Sequence, residues 1–121
     1  MKLTEMDERI TFSEQLEGDV GAVVVISKFN VKPEDIDQFL NSWASGAKIM
    51  KQQPGFISTQ LHRGIAGSGV FLNYTVFESA KYFKRASNNP DFQSKLSDYP
   101  VNAVVSPHLF KKVAVPGICV D

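Results

Sequence analysis

The stretch Gly21-Ala-Val-Val-Val-Ile-Ser-Lys-Phe-Asn-Val31, continued by Lys32-Pro33-Glu34-Asp35 and then by Ile36, Phe39, Leu40, Trp43, Ala44, Ala47 and Met50, decides the fold. Its first part is β-branched and bounded by Gly and Pro, which predicts a strand. Proline at the first helical position, with acids in the first turn against the helix dipole, predicts a helix start. The apolar residues that follow recur at spacings of three and four and form one continuous stripe. Pro54-Gly55 ends the helix.

Downstream, two more strands are predicted, Phe56 to Ile65 and Val70 to Glu78. Ala66-Gly67-Ser68-Gly69 joins them, with glycines to supply the positive φ of a tight turn. A shorter helix from about Ser79 carries Tyr82, Phe83 and Ala86; Asn88-Asn89-Pro90 interrupts it, and Asp91 to Leu96 adds one turn. After Tyr99-Pro100 a last strand is expected over Pro107 to Val115. The order strand, helix, strand, strand, helix, strand is the α+β, ferredoxin-like βαββαβ arrangement, an antiparallel sheet with both helices on one face. The other face is then bare in a single chain.

Upstream the composition changes. Glu5, Asp7, Glu8, Glu14, Glu17 and Asp19 make residues 1–19 acidic, and only Ile10-Thr-Phe12 suits strand pairing. Residues 1–19 are read as an arm that frays or lies on its own domain or on a neighbouring subunit, and residues 20–121 as one domain. The 121 residues are 43% hydrophobic and 21% charged, ordinary globular usage, and 13 basic residues offset 13 acidic ones. A neutral chain lacks the electrostatic footprint of a nucleic-acid binder, so none is expected as a partner.

No membrane partner is expected either. The longest apolar run, Val20 to Ile26, is far short of the roughly 18 residues a span needs. The N-terminus carries acids where a secretory signal has basic residues, and Cys119 is the single cysteine, which leaves no intrachain disulfide; a cytoplasmic protein is expected. Two histidines fall short of the three or four ligands of a zinc site, so no metal is expected. Gly64-Ile-Ala-Gly67-Ser-Gly69 joins two strands rather than opening a helix, which argues against a phosphate loop.

With Ile65 opposite Val70, His62 faces Asn73, Gln60 faces Thr75 and Ser58 faces Phe77. Side chains alternate between faces, so Phe56, Ser58, Gln60, His62, Phe71, Asn73, Thr75 and Phe77 share one face. Ile57, Thr59, Leu61, Leu72, Tyr74 and Val76, the more apolar set, are assigned to the helices. On the first strand Val23, Val25, Phe29 and Val31 suit the helix side and Val24, Ile26, Lys28 and Asn30 the open one. On the last, Leu109, Val113 and Val115 point to the helices and His108, Phe110 and Lys112 away. A slip of one residue would invert such assignments. A broad face of this kind predicts a homodimer through the open sheet face, and aromatic walls with a few polar groups also suit a small aromatic ligand.

Several motifs resemble the antibiotic biosynthesis monooxygenase family, within the dimeric α+β barrel superfamily, over roughly Val20 to Val115. They are Lys28-Phe29-Asn30-Val31, Gln53-Pro54-Gly55-Phe56, Leu61-His62-Arg63-Gly64, Tyr74-Thr75-Val76-Phe77-Glu78-Ser79 and Asn89-Pro90-Asp91-Phe92. The resemblance implies a dimeric barrel. It also implies one of several activities: cofactor-independent oxidation of polyketide aromatics, haem degradation, or turnover of small quinones or signalling molecules. The haem branch uses a tryptophan and a haem-ligating histidine at positions that correspond here to Ala86 and Leu96; leucine cannot ligate iron, which disfavours that branch.

In the cofactor-free branch a deprotonated phenol or enol itself gives an electron to oxygen, and the site stabilises the anion in a dry pocket. The resulting expectation is a cofactor-independent monooxygenase acting on a small aromatic, phenolic or quinone-type molecule. His62 and Asn73 are expected to orient or deprotonate substrate. Phe56, Phe71, Phe77 and Phe83 are expected to wall the pocket, with Asn30 and His108 as further contacts. Each has a plainer alternative: His62 as an interface histidine, Asn73 bonded to a cross-strand neighbour, Asn30 as a backbone cap, His108 as a strand-entry residue. Trp43 and Tyr74 are read as core, Arg63 and Arg85 as solvated or ion-paired, Cys119 as a tail residue. The competing functions are a non-catalytic small-ligand-binding dimer with a stress or detoxification role, and a purely structural dimer.

Overall fold

Eight residue pairs in antiparallel register between Val23–Asn30 and Val70–Phe77 form the centre of the sheet. The structure is a computed structural model that describes residues 1–18 and 21–119. The expected boundary between residues 19 and 20 lies outside the described residues. The strands are β1 (Lys2–Leu3), β2 (Val23–Asn30), β3 (Phe56–Arg63), β4 (Val70–Phe77) and β5 (Val104–Phe110). The helices are α1 (Phe12–Gln15), α2 (Ile36–Met50), α3 (Ala80–Ser87) and α4 (Pro90–Lys95). Sheet order is β1-β5-β2-β4-β3, with β1 parallel to β5 and all other pairs antiparallel. From β2 onward this is the ferredoxin-like α+β arrangement.

Local chemistry sets the helix ends. Pro33 opens a 3-10 turn that leads into α2. Ser79 Oγ accepts the Tyr82 N–H at 3.2 Å and caps α3. Asn89 Oδ1 accepts the N–H groups of Asp91 and Phe92, and Pro90 occupies the first turn, so the chain restarts as α4 instead of prolonging α3.

The N-terminal arm lies on its own domain. The Lys2 N–H donates to Ala103 O at 2.9 Å and the Thr4 N–H to Val105 O at 2.8 Å, which adds β1 to the edge of β5. The expected pairing segment Ile10 to Phe12 is no strand; Phe12 instead begins α1, capped by Thr11. Gln15 continues the edge. Its Oε1 accepts the Leu109 N–H at 2.8 Å and its Nε2 donates to Leu109 O at 3.0 Å. Residues two apart on a strand aim their N–H groups the same way, so Pro107 carries its missing donor toward this edge and costs no bond to β2. The arm thus covers an edge strand that would otherwise offer unpaired backbone groups.

The hairpin register differs from the predicted one. Gly64 N–H donates to Val70 O at 2.8 Å, and Arg63 pairs with Phe71. Ile65, 91% exposed, therefore belongs to the loop, where Ala66 (φ 60°) and Gly67 (φ 76°) turn the chain. One extra loop residue shifts every pair by one and inverts β4. Phe71, Asn73, Thr75 and Phe77 face the helices; Leu72, Tyr74 and Val76 face away, and Tyr74 is not core on the helix side. Ile57 bulges out of β3, so Phe56 keeps Phe77 as its inward partner, with rings 5.7 Å apart, while Ser58 stands opposite Val76. β5 also ends sooner than expected: Val113 is 74% exposed, and Val115 bridges to Cys119 beyond the sheet.

Two buried clusters result. One gathers Val23, Val25, Phe77, Leu109, Met50, Ala80, Phe83 and Ala86. The other gathers Phe29, Val31, Phe39, Phe71, Tyr99 and Val105, with Phe39 fully buried against Phe29 at 4.9 Å and Phe71 at 4.8 Å.

Candidate functional site

The two clusters do not merge, because the inward row of the sheet turns polar between them. Ser27 pairs with Asn73 across β2 and β4, and Thr75 pairs with Thr59 across β4 and β3. Buried polar groups need partners, and these largely bond to one another. Thr59 Oγ1 and Thr75 Oγ1 each lie 3.1 Å from Asn73 Oδ1 and 2.7 Å from each other. Two hydroxyl protons serve these three contacts, so the carboxamide oxygen accepts from at least one of the threonines. Asn73 Nδ2 has no protein partner among the described residues, and it is open to the space above.

That space is a cavity of about 470 Å³ between sheet and helices, within the range of small-molecule sites. Ser27, Thr59, Asn73 and Thr75 belong to its floor. Trp43, Gly46, Ala47 and Met50 of α2 roof it, and Phe83, Phe92, Gln93, Leu96 and Tyr99 line it further. Gly46 lets α2 approach α4 closely, since a Cβ there would stand 3.2 Å from the Phe92 ring, which would have to shift. Burial pushes the Tyr99 phenol above its ordinary range by desolvating the phenolate, so it stays a neutral hydroxyl. Among the described residues, no Asp, Glu, Lys, Arg or His side chain lines the cavity. Among the described residues, no group of three or more His, Cys, Asp or Glu side chains could hold a metal ion.

The expected site residues divide. Asn73 and Phe83 line the cavity. Phe56, Phe71 and Phe77 are helix-side packing residues outside its lining, and the last two are buried. His62 stands opposite Leu72 on the open sheet face, so the structure does not bring it to Asn73, whose neighbour is Leu61. Asn30 pairs with Val70 and Val104, also on the open face. His108 lies on that face opposite Ile26. Its Nε2 is 3.0 Å from Gln15 Nε2, which must donate because Gln15 Oε1 already accepts from Leu109. His108 therefore carries its proton on Nδ1, which is enclosed without a partner among the described residues.

Trp43, read as core, is a cavity wall. Sequence reasoning missed Thr59, Thr75 and Tyr99. The available signal was Ser27, a polar residue in the otherwise apolar inward row Val23, Val25, Phe29, which marks where the neighbouring strand should also turn polar.

The fold agrees with what the chain is similar to. Among curated proteins none matches it significantly. SnoaB, a cofactor-independent oxygenase from Streptomyces nogalater, is 22% identical; the match covers 81% of this chain and 99% of SnoaB, with a TM-score of 0.70. A candidate monooxygenase from Shewanella loihica is 25% identical over 81% of this chain and 100% of its own, with a TM-score of 0.66. A conserved protein from Methanosarcina mazei is 16% identical over 78% of this chain and 95% of its own, with a TM-score of 0.67. No helix among the described residues is long and apolar enough to cross a membrane. The profile of the antibiotic biosynthesis monooxygenase family matches residues 22–94, from the start of the first central strand to α4, and the chain belongs to that family.

Proposed function

We propose that this protein is a cofactor-independent monooxygenase that oxidises a small aromatic, phenolic or quinone-type molecule held between sheet and helices. The observation that carries this reading is the Asn73 amide, its oxygen anchored by Thr59 and Thr75 and its N–H groups open to a cavity walled by aromatic rings. A pre-oriented donor in a water-poor site stabilises an oxygen anion with little reorganisation. The described residues offer the cavity no carboxylate or imidazole as base, so the anion arises from the substrate's own acidity, which suits a phenol or enol. The anion gives electrons to oxygen. One oxygen atom ends as a new carbonyl, and the other leaves as water with the two hydrogens lost from the oxidised carbon. The likeness to SnoaB, a cofactor-independent oxygenase, supports the same reading.

The open face carries Val24, Ile26, Leu72, Tyr74, Val76 and Phe110 beside His62 and Gln60. A single chain leaves this mixed apolar surface partly in water, which favours a homodimer with His62 at the interface. Oxygen uptake with a three-ring enolisable ketone, with incorporation from labelled oxygen followed by mass spectrometry, tests the enzyme reading. One labelled atom in the product is expected. The lack of any basic side chain among the described residues of the cavity wall favours a second reading, a non-catalytic small-ligand binder, which would show saturable binding without oxygen uptake.

A further inference from the structure

The family match begins at residue 22, yet the cavity does not belong to that region alone. Met1, Leu3, Phe12 and Leu16, all from the N-terminal arm, line it as well. Their positions are fixed by four attachments to the domain and one contact within the arm. β1 pairs with β5, and Thr4 Oγ1 bonds Ser106 Oγ at 2.6 Å. Glu5 Oε1 accepts the Phe12 N–H at 2.8 Å, which draws β1 and α1 together. Gln15 holds both backbone groups of Leu109, and Glu17 pairs with Lys84 of α3. Phe12 meets the cavity residue Phe83 edge to face at 6.0 Å, Leu16 packs on the cluster that contains Val25 and Met50, and Met1 packs on the one that contains Phe29 and Tyr99. The arm therefore touches both clusters whose separation creates the cavity and closes the side along β5.

We infer that the arm is the specificity-determining wall of the cavity, and that Leu3, Phe12 and Leu16 set the size of ring system admitted. This rests on the reading of the cavity as a ligand site. Apolar walls discriminate by volume, and one methylene is worth roughly 10-fold or more in selectivity. An arm attached mainly by hydrogen bonds and one exposed ion pair can supply that wall without altering the polar floor, so ring size and the hydrogen-bonded end of the ligand are set by different parts of the chain.

The test uses the full chain and the uncharged fluorophore N-phenyl-1-naphthylamine, displaced in turn by phenol, 1-naphthol and 9-phenanthrol. Thermal melts confirm folding of each variant. In Phe12→Ala and Leu16→Ala the preference for 9-phenanthrol over phenol should rise about 10-fold. In Leu3→Trp it should fall by a similar factor, and Leu3 is 49% exposed, so this exchange spares the fold. Unchanged selectivity in folded variants that still bind the fluorophore would overturn the inference while leaving the site intact. Failure of the unaltered chain to bind any of the four compounds would overturn the site and the arm's role together.

Discussion

Thr59 Oγ1 donates toward Asn73 Oδ1 across 3.1 Å, from the neighbouring strand and from the residue directly opposite Thr75. The consequence is directional. An asparagine whose oxygen is occupied can offer a ligand only its N–H groups, so the floor of the cavity presents donors to an oxygen. Thr59→Val and Thr75→Val remove a hydroxyl each without changing shape much. Each should lower turnover by about 5-fold, in line with a lost neutral hydrogen bond of about 1 kcal/mol, while ligand affinity stays within a few-fold. Steady-state kinetics, with KM and kcat separated, check this.

Trp43 is the only tryptophan, and it stands in the cavity roof. A bound ring compound should quench or shift its emission with the same saturation curve that the displacement assay gives. Emission that does not respond to a compound known to bind would place the ligand elsewhere, on the open face for instance.

Tyr99 provides a pH test. Its folded-state pKa is raised above the ordinary phenol value of about 10, because burial penalises the charged form. A group with a raised pKa contributes stability that is present below the unfolded value and is lost as pH rises through it toward the folded one. Denaturant melts should show stability falling above about pH 10, and Tyr99→Phe should flatten that fall. Absorbance titration should show Tyr99 ionising only with unfolding.

The register of the hairpin can be tested at two glycines. A Cβ at Gly69 would be driven into the Val31 carbonyl oxygen, which β2 cannot move away, whereas a Cβ at Gly67 meets open space and only the left-handed backbone resists it. Gly67→Ala should cost about 1–2 kcal/mol, and Gly69→Ala clearly more. Equal effects in chemical denaturation would speak against the five-residue loop.

Gln15 is expected to matter more for the edge of the sheet than its surface position suggests. Gln15→Ala leaves the Leu109 N–H and C=O without partners and should cost about 1–3 kcal/mol. Nitrogen NMR of His108 should show the proton on Nδ1 in the unaltered chain.

The fold was legible because its signals are periodic: the apolar stripe on α2, the Pro54-Gly55 stop and the order of elements are all local features. The site was not, because it depends on one residue of loop length. Both faces of β4 are rich in apolar residues, Phe71 and Phe77 on one, Leu72, Tyr74 and Val76 on the other, so alternation alone could not choose between them. Moving Ile65 from strand to loop turned Asn73 from the open face to the helices and parted it from His62. The arm was legible only as acidic. Its contribution comes from four apolar residues, Met1, Leu3, Phe12 and Leu16, too widely spaced to form a periodic signal.

The most direct measurement compares oxygen consumption by the unaltered chain, Asn73→Ala and His62→Ala on one enolisable three-ring substrate. With the Asn73 amide as the oxyanion donor, Asn73→Ala should lose about 10²–10³ in turnover, and His62→Ala, on the other face of the sheet, should keep its rate per subunit. Full activity in Asn73→Ala, or a loss confined to His62→Ala, would contradict a catalytic site between the sheet and the helices.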